Sequence, residues 1–325
     1  MNNITRNQSF VTESDWKKIF KDYLIVDCSV RDKNIHYFAL RKDLPAEEAS
    51  LLYDSEIQSV LLAVYLHRDP FDGISYDKLS GFSFPKTGVG LLPRPQGLLS
   101  SRGEGAISVM GAGGPFPIEY IKPDEMVNPM RLVCIEGYTY AVCLFREIYR
   151  RVDVGQWESF DEGIEKLPSS ELGFRDMDGF SQQNMYAVGG AGDVWRYDGA
   201  RWQQCGFPSN EQLSTVCCAG DGYVYIGGEG CSVWRGKENT WELLIKGRST
   251  ILWNDLLWFQ DKLWLASDNE LKILNGDALE IVDGNGVYIQ YGGHMDARDG
   301  VLLITNHSRA ALYDGTEWRT IVKPY

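Results

Sequence analysis

Four short runs in the C-terminal half share one pattern: Met185-Tyr186-Ala187-Val188-Gly189-Gly190, Val224-Tyr225-Ile226-Gly227-Gly228, Leu263-Trp264-Leu265-Ala266-Ser267 and Leu302-Leu303-Ile304-Thr305-Asn306. Equivalent positions in successive runs are 39 residues apart, at Tyr186, Tyr225, Trp264 and Leu303. Three equal intervals indicate an internal repeat, and repeats of about 40 residues are typical of stacked or radial architectures.

The residues around each run show what the repeated unit contains. An Asp-Gly turn precedes two of the runs, at Asp221-Gly222 and Asp299-Gly300, and a third strand-like segment follows each run. Asp-Gly pairs favour tight hairpins, because glycine accepts the positive φ that such turns need. A last segment opens on an aromatic residue in three repeats, at Trp202, Trp241 and Trp318. Four short antiparallel strands per repeat predict an all-β fold, the β-propeller.

The repeat continues towards the N-terminus with less regular spacing. Tyr140-Ala141-Val142-Cys143 matches the first run and predicts a further blade over about residues 130–160. Earlier strand-like runs supply two more blades, which gives seven four-stranded blades. We therefore expect one β-propeller over residues 1–325, with irregular, insertion-bearing blades in 1–129 and five regular blades in 130–325. Residues 47–52 are expected to form a short helix in an insertion, and residues 88–105, rich in Gly, Pro and Ser, a long loop.

Composition and charge restrict the environment and the partners. The chain has 325 residues, 45 acidic and 32 basic, so its net charge is −13. Such a surface repels phosphate, which argues against direct binding of nucleic acid or of an anionic membrane and favours a basic protein partner. The first twelve residues are mostly polar, no run of 18 apolar residues occurs, and several of the seven cysteines lie in apolar runs. We therefore expect free thiols and a cytoplasmic location.

Motifs for catalysis or cofactor binding are lacking. The four histidines have no metal-ligand spacing, and the Asp176-Met177-Asp178-Gly179 run lacks the later ligands of a calcium loop. We expect no metal, no cofactor and no enzymatic activity. If the chain were nonetheless a propeller glycosidase or lyase, its catalytic residues would come from the innermost strands. The candidates are Asp178, Asp255, His294 and Asp296, for which a solvated channel lining is an equal explanation.

An acidic island lies between the blade predicted over 130–160 and the next repeat. Residues 153–178 contain eight acidic and two basic residues, a net charge of −6. The island spans an inter-blade connection, so we expect it on one rim of the disc. A solvated loop is one interpretation; the other is a patch that docks a basic protein and steers its association. We assign the contact to Glu158, Asp161, Glu162, Glu165, Asp176 and Asp178.

Two resemblances bear on fold and function. The glycine doublets Gly189-Gly190 and Gly227-Gly228, with the tryptophans that follow, resemble the motif of kelch-type propellers. Residues 173–180 and 185–190, with Asp193-Val194-Trp195 and Asp198-Gly199-Ala200-Arg201-Trp202, make the chain similar to bacterial β-propeller immunity proteins.

The resemblance to immunity proteins implies an antitoxin. Such a protein would neutralise a nuclease effector delivered by type VI or related contact-dependent secretion, covering the active site as one monomer in a heterodimer. A scaffold or adaptor propeller that binds an endogenous protein is the alternative from a different class, beside the enzyme considered above.

Overall fold

The computed structural model describes residues 9–69, 72–166, 173–282 and 292–325. Its strands form seven antiparallel sheets of four strands each, and neighbouring strands in a sheet are consecutive in sequence. Blades 1 to 3 contain β1 (Tyr23–Asp32), β2 (Ile35–Lys42), β3 (Ser59–Tyr65), β4 (Ile74–Leu79), β5 (Ser83–Gly90), β6 (Gln96–Arg102), β7 (Ala106–Gly111), β8 (Glu119–Tyr120), β9 (Pro129–Ile135), β10 (Tyr138–Cys143), β11 (Glu147–Asp153) and β12 (Gln156–Ser159).

Blades 4 to 7 contain β13 (Phe174–Ser181), β14 (Asn184–Gly189), β15 (Asp193–Tyr197), β16 (Trp202–Gln204), β17 (Leu213–Cys218), β18 (Val224–Gly228), β19 (Ser232–Lys237), β20 (Thr240–Ile245), β21 (Asp255–Phe259), β22 (Lys262–Ala266), β23 (Leu271–Asn275), β24 (Ala278–Ile281), β25 (His294–Arg298), β26 (Val301–Thr305), β27 (Ala310–Tyr313) and β28 (Trp318–Val322). The four runs that define the repeat lie in β14, β18, β22 and β26, the second strands of these blades. The predicted seven-bladed β-propeller is confirmed.

The first strand of each blade faces a central channel. Each first strand packs beside the first strand of the next blade, and β25 of blade 7 packs against β1 of blade 1. All first strands therefore run in the same direction along the channel, because every blade has the same meandering order. The connections from second to third strands lie at the end of the disc where the first strands begin.

Hydrophobic residues between adjacent blades form the core. Between blades 3 and 4, Tyr140 and Ile148 pack against Met185, Trp195 and Trp202. Trp202, the aromatic residue that opens the last strand, is only 1% exposed. One blade cannot cover both of its faces, so this packing against its neighbours supplies the burial that stabilises each sheet.

The N-terminal segment covers the seam between blades 7 and 1. The Phe10 and Val11 amides donate to the carbonyls of Thr320 and Ile321, at 3.2 and 2.9 Å. The short helical segments Glu13–Asp15 and Trp16–Phe20 follow, and the buried Ile19 and Phe20 pack in a core shared by both blades. The four strands of blade 7 are consecutive in sequence, so the N-terminal segment is not one of them. The segment instead adds hydrogen bonds to the last strand of blade 7, next to blade 1.

The N-terminal blades differ from the sequence-based expectations in two places. The loop predicted over 88–105 is wrong, since β5 and β6 occupy most of it; its small residues allow close packing, and a Cβ on Gly97 would lie 2.4 Å from the Tyr37 ring. The helix expected over 47–52 is instead one turn at Ala46–Ala49. The blade predicted over 130–160 is confirmed by β9 to β12.

Two further features concern the environment of the chain. All seven cysteines carry free thiols, as predicted. Within the residues that the structure describes, no helix is long and apolar enough to cross a lipid bilayer.

Candidate functional site

Four of the six acidic residues assigned to partner binding lie at the outer boundary of blades 3 and 4. Glu158 is in β12, and Asp161, Glu162 and Glu165 are in the connection to β13. Glu158, Glu162 and Glu165 are exposed, whereas Asp161 is partly buried and pairs with Lys166. We call these four residues the acidic rim.

Hydrogen bonds to backbone carbonyls hold residues 160–165, the part of the connection that carries most of the acidic rim. The Trp202 amide donates to the Glu162 carbonyl at 2.9 Å, and the Trp202 indole donates to the Phe160 carbonyl at 2.7 Å. Arg146 donates to the Glu165 carbonyl at 3.1 Å. Because these contacts use carbonyl oxygens, the carboxylates of Glu162 and Glu165 stay free to face solvent.

The other two residues, Asp176 and Asp178, lie in the channel, so the expectation that all six share one rim is wrong. Both belong to β13, a first strand, and residues two apart in a strand point to the same side. Asp176 is 3% exposed and accepts hydrogen bonds from the Thr215 hydroxyl and the Val216 amide, at 2.7 and 3.0 Å. Asp178 accepts from the Cys218 amide at 2.7 Å. These carboxylates connect blade 4 to blade 5.

The same kind of connection recurs around the ring. A carboxylate on one first strand accepts from a backbone amide of the next: Asp27 from Thr87 at 2.9 Å, Asp255 from Met295 at 2.9 Å, and Asp296 from Val30 at 2.7 Å. The last of these bonds joins blade 7 to blade 1. Hydrogen bonds to a charged acceptor are stronger than neutral ones, so these side chains hold neighbouring blades together.

Arg131 of β9 lies across the channel and pairs with carboxylates of two other blades. Its guanidinium is 3.2 Å from Asp176 and also contacts Asp255. Burial opposes the charge on Arg131, but these two carboxylates raise the pKa of its guanidinium above the ordinary value. Burial likewise disfavours ionisation of Asp255, yet Arg131 and His294 hold the pKa of that carboxyl well below its usual range.

The four candidate catalytic residues do line the channel. His294 Nδ1 lies 3.1 Å from Asp255, and its Nε2 lies 3.2 Å from the Lys86 ammonium. Burial raises the pKa of Asp178 to about 7, although the amides of Cys218 and Gly179 favour its ionised form. A cavity of about 260 Å³ lies beside Asp178 and Asp296.

Contacts between the blades occupy much of the hydrogen-bonding capacity of these four residues. Asp178, Asp255 and Asp296 each accept a backbone hydrogen bond from the next blade, as described above. Across the described parts of the chain, no group of three His, Cys, Asp or Glu side chains is arranged to hold a metal ion. Arg131 was not identified from sequence, where it is a single basic residue inside an apolar strand.

Comparisons with known proteins agree on the fold. No family model matches the chain. Virginiamycin B lyase of Staphylococcus aureus superimposes with a TM-score of 0.67 at 10% identity, over 89% of this chain and 94% of the lyase. YCF48, solved with a D1 peptide, gives a TM-score of 0.61 at 13% identity over 93% of each chain. At these identities the likeness concerns architecture alone.

Sequence similarity is much higher to one curated protein, the immune protein Tsi7 of Pseudomonas aeruginosa. The two are 34% identical over 230 residues, which cover 69% of this chain and 74% of Tsi7. That length spans several blades, so the similarity extends well beyond a single repeat motif. The chain therefore belongs to the immunity-protein family of Tsi7, and its fold is a seven-bladed β-propeller.

Proposed function

We propose that this protein is an antitoxin that binds a secreted antibacterial toxin, a nuclease effector of a type VI or related system, and occludes its active site. The observation that carries the proposal is the 34% identity to the immune protein Tsi7 over 69% of the chain. The protein would act in the cytoplasm as one monomer bound to one toxin.

Charge supports a basic partner. The net charge is −13, and the acidic rim presents exposed carboxylates beside residues 160–165, which hydrogen bonds to their backbone carbonyls hold in place. A nuclease must bind phosphate and therefore has a basic cleft. Opposite charges on the two proteins would accelerate encounter, and the carboxylates would compete with nucleic acid for that cleft.

Inhibition by binding, without catalysis, is supported by the state of the channel. Asp178, Asp255 and Asp296 accept backbone hydrogen bonds from neighbouring blades, and Arg131 neutralises Asp255. A general acid or base needs a free position from which to reach its substrate. We infer that these groups stabilise the ring.

The proposal is tested with the protein encoded next to this chain's gene, here called the candidate toxin. The two proteins are coexpressed in a bacterial host, and growth and the integrity of plasmid DNA are followed. We expect the candidate toxin alone to degrade DNA and stop growth, and coexpression to restore both. Asp178→Asn with Asp296→Asn in the channel tests the enzyme alternative: once circular dichroism shows that this variant is folded, it should protect as well as wild type. If the wild-type chain, shown to be expressed and folded, does not protect, the antitoxin proposal is wrong.

The adaptor alternative predicts a different result in the same strains. An adaptor would be captured with an endogenous protein and would leave DNA cleavage by the candidate toxin unchanged. An assay with the two purified proteins then distinguishes direct inhibition from an indirect effect on growth. An antitoxin should inhibit DNA cleavage by the candidate toxin at a one-to-one molar ratio.

A further inference from the structure

The connection between the second and third strands is much longer in blade 1 than in the other blades. In blades 2 to 7 this connection has three or four residues, as between β6 and β7 or between β14 and β15. In blade 1 it runs from residue 43 to residue 58, between β2 and β3. We call residues 43–58 the blade 1 insertion. It lies on the face of the disc where the first strands begin.

The blade 1 insertion exposes three consecutive apolar residues. Leu51 is 84% exposed, Tyr53 is 81% exposed and Leu52 is 36% exposed. Single exposed apolar residues are common on protein surfaces, but a contiguous group that points to solvent marks an interaction site. Phe84, 48% exposed at the start of β5, lies next to the insertion, since its amide donates to the Asp54 carboxylate.

Carboxylates flank the apolar residues on both sides. Residues 43–56 contain five acidic residues and no lysine or arginine. Asp54 pairs with Arg41, whereas Glu47, Glu48 and Glu56 are exposed. The insertion therefore combines an apolar tip with a negative border, which is complementary to an apolar pocket surrounded by basic residues.

Hydrogen bonds tie residues 53–56 of the insertion to one another and to the start of blade 2. The Glu56 carboxylate accepts from the Tyr53 amide at 2.7 Å, and the Asp54 carboxylate accepts from the Phe84 amide at 2.6 Å. The Gly81 amide donates to the Ser55 carbonyl at 3.1 Å. Phe84 has a φ of 43°, which is strained for an aromatic residue, and its ring lies 4.9 Å from the Arg102 guanidinium. A segment that is already ordered loses little entropy when it binds, so its apolar groups contribute more to affinity.

We propose that the blade 1 insertion is the anchor through which this protein holds its toxin, with Tyr53 and Leu51 entering an apolar pocket at the edge of the toxin's basic cleft. This inference rests on the proposed antitoxin function and adds the surface that makes the contact. We place Tyr53 at the centre of the contact. A tyrosine there would bury a large apolar area and could offer its polar hydroxyl to the partner. The acidic rim then contributes mainly to steering.

The test compares Tyr53→Ala with Tyr223→Ala in binding to the purified candidate toxin. Tyr223 is 43% exposed and lies in the turn between β17 and β18, on the opposite face of the disc. We expect Tyr53→Ala to weaken binding at least tenfold, chiefly through faster dissociation, and Tyr223→Ala to bind like wild type. Both side chains are exposed, so the two variants should have the same thermal unfolding midpoint as wild type. Matching midpoints exclude misfolding as the cause of weaker binding.

The outcomes separate this inference from the function on which it rests. If the wild-type chain binds and inhibits the candidate toxin while Tyr53→Ala binds equally well, the anchor is elsewhere and the antitoxin function stands. If the wild-type chain does not bind, the antitoxin function itself is wrong. Glu47→Lys with Glu48→Lys provides a second measurement: binding should weaken at low salt, and the difference from wild type should shrink as salt is raised. An affinity that is unchanged at low salt would contradict the predicted negative border.

Discussion

The channel carboxylates and the acidic rim contain the same chemical groups in opposite environments. Asp176 and Asp255 are 3% and 1% exposed, and each accepts hydrogen bonds and pairs with Arg131. Glu162 and Glu165 are exposed, and their connection is held through backbone atoms. A buried carboxylate must be neutralised by its neighbours and so becomes part of the scaffold, whereas an exposed one remains available to a partner. Position on the first strand or on the outer connection therefore separates carboxylates that belong to the scaffold from carboxylates that remain free for a partner.

The largest effect is expected when the channel loses the positive charge of Arg131. Arg131→Met leaves Asp176 and Asp255 buried without their main counter-charge. Removing one partner of a buried ion pair costs several kcal/mol, so we expect unfolding in urea to lose about 3 kcal/mol. Combining Arg131→Met with Asp255→Asn should recover part of this loss, because one uncompensated charge disappears.

An exposed arginine in blade 7 provides the matched control for Arg131. Arg319 lies 3.4 Å from Asp314 and 3.2 Å from Glu317, and its side chain is 61% exposed. Exposed ion pairs contribute little, so Arg319→Met should cost under about 1 kcal/mol. Equal losses for the two variants would refute the distinction between channel and surface charges.

A second, smaller effect concerns the pH dependence of stability. Burial raises the pKa of Asp178 from 3.8 to about 7. The folded state therefore holds a proton that the unfolded state releases, and the stabilisation present below about pH 4 is lost as the pH rises through about 7. Asp178→Asn cannot ionise, so between pH 4 and pH 8 we expect wild type to lose about 2 kcal/mol relative to this variant, after allowance for the partial exposure of the side chain.

Urea unfolding at pH 4, 6 and 8 measures this difference. Glu162→Gln, which removes an exposed carboxylate of the acidic rim, serves as the control and should match wild type in unfolding free energy at pH 8. Parallel pH profiles for wild type and Asp178→Asn would mean that Asp178 ionises in the folded protein as it does in a peptide.

The regularity of the repeats determined which parts of the fold could be predicted. In blades 4 to 7, equal spacing and Asp-Gly turns located the strands, because turns such as those at Gly222 and Gly300 place glycine at a positive φ. In blade 2, glycines such as Gly97 serve a different purpose, since they allow a strand to pack closely on Tyr37. Sequence alone does not distinguish a glycine needed for a turn from one needed for close packing, and for that reason the composition of residues 88–105 predicts a loop where the structure has strands.

The candidate site was predictable only in part, for a related physical reason. Charge density along the chain identified residues 153–178, but it did not reveal that Asp176 and Asp178 enter the channel through β13 while Glu162 stays outside. The pairing of Arg131 with Asp176 and Asp255 joins residues from three blades, and no local pattern indicates contacts over such sequence distances. The proposed anchor in the blade 1 insertion could not be predicted from sequence either. It is recognised by the exposure of Leu51 and Tyr53, which is known only from the folded structure.

The smallest change in stability is expected when the charge of the acidic rim is reversed. This variant completes the comparison of the rim with the channel carboxylates. Glu158, Glu162 and Glu165 are exposed, so replacing all three by lysine should change the unfolding free energy by less than about 1 kcal/mol. The net charge would fall in magnitude by six. If the candidate toxin has the basic cleft proposed above, its association should slow about tenfold at low salt and much less at high salt. Stopped-flow or surface-binding kinetics measure the association rate, and Arg319→Met is a control that alters surface charge at blade 7.

Because steering acts before contact, the dissociation rate should change little. An unchanged association rate at low salt would remove the acidic rim from the binding surface, and a large loss of stability would place it with the channel carboxylates as part of the scaffold.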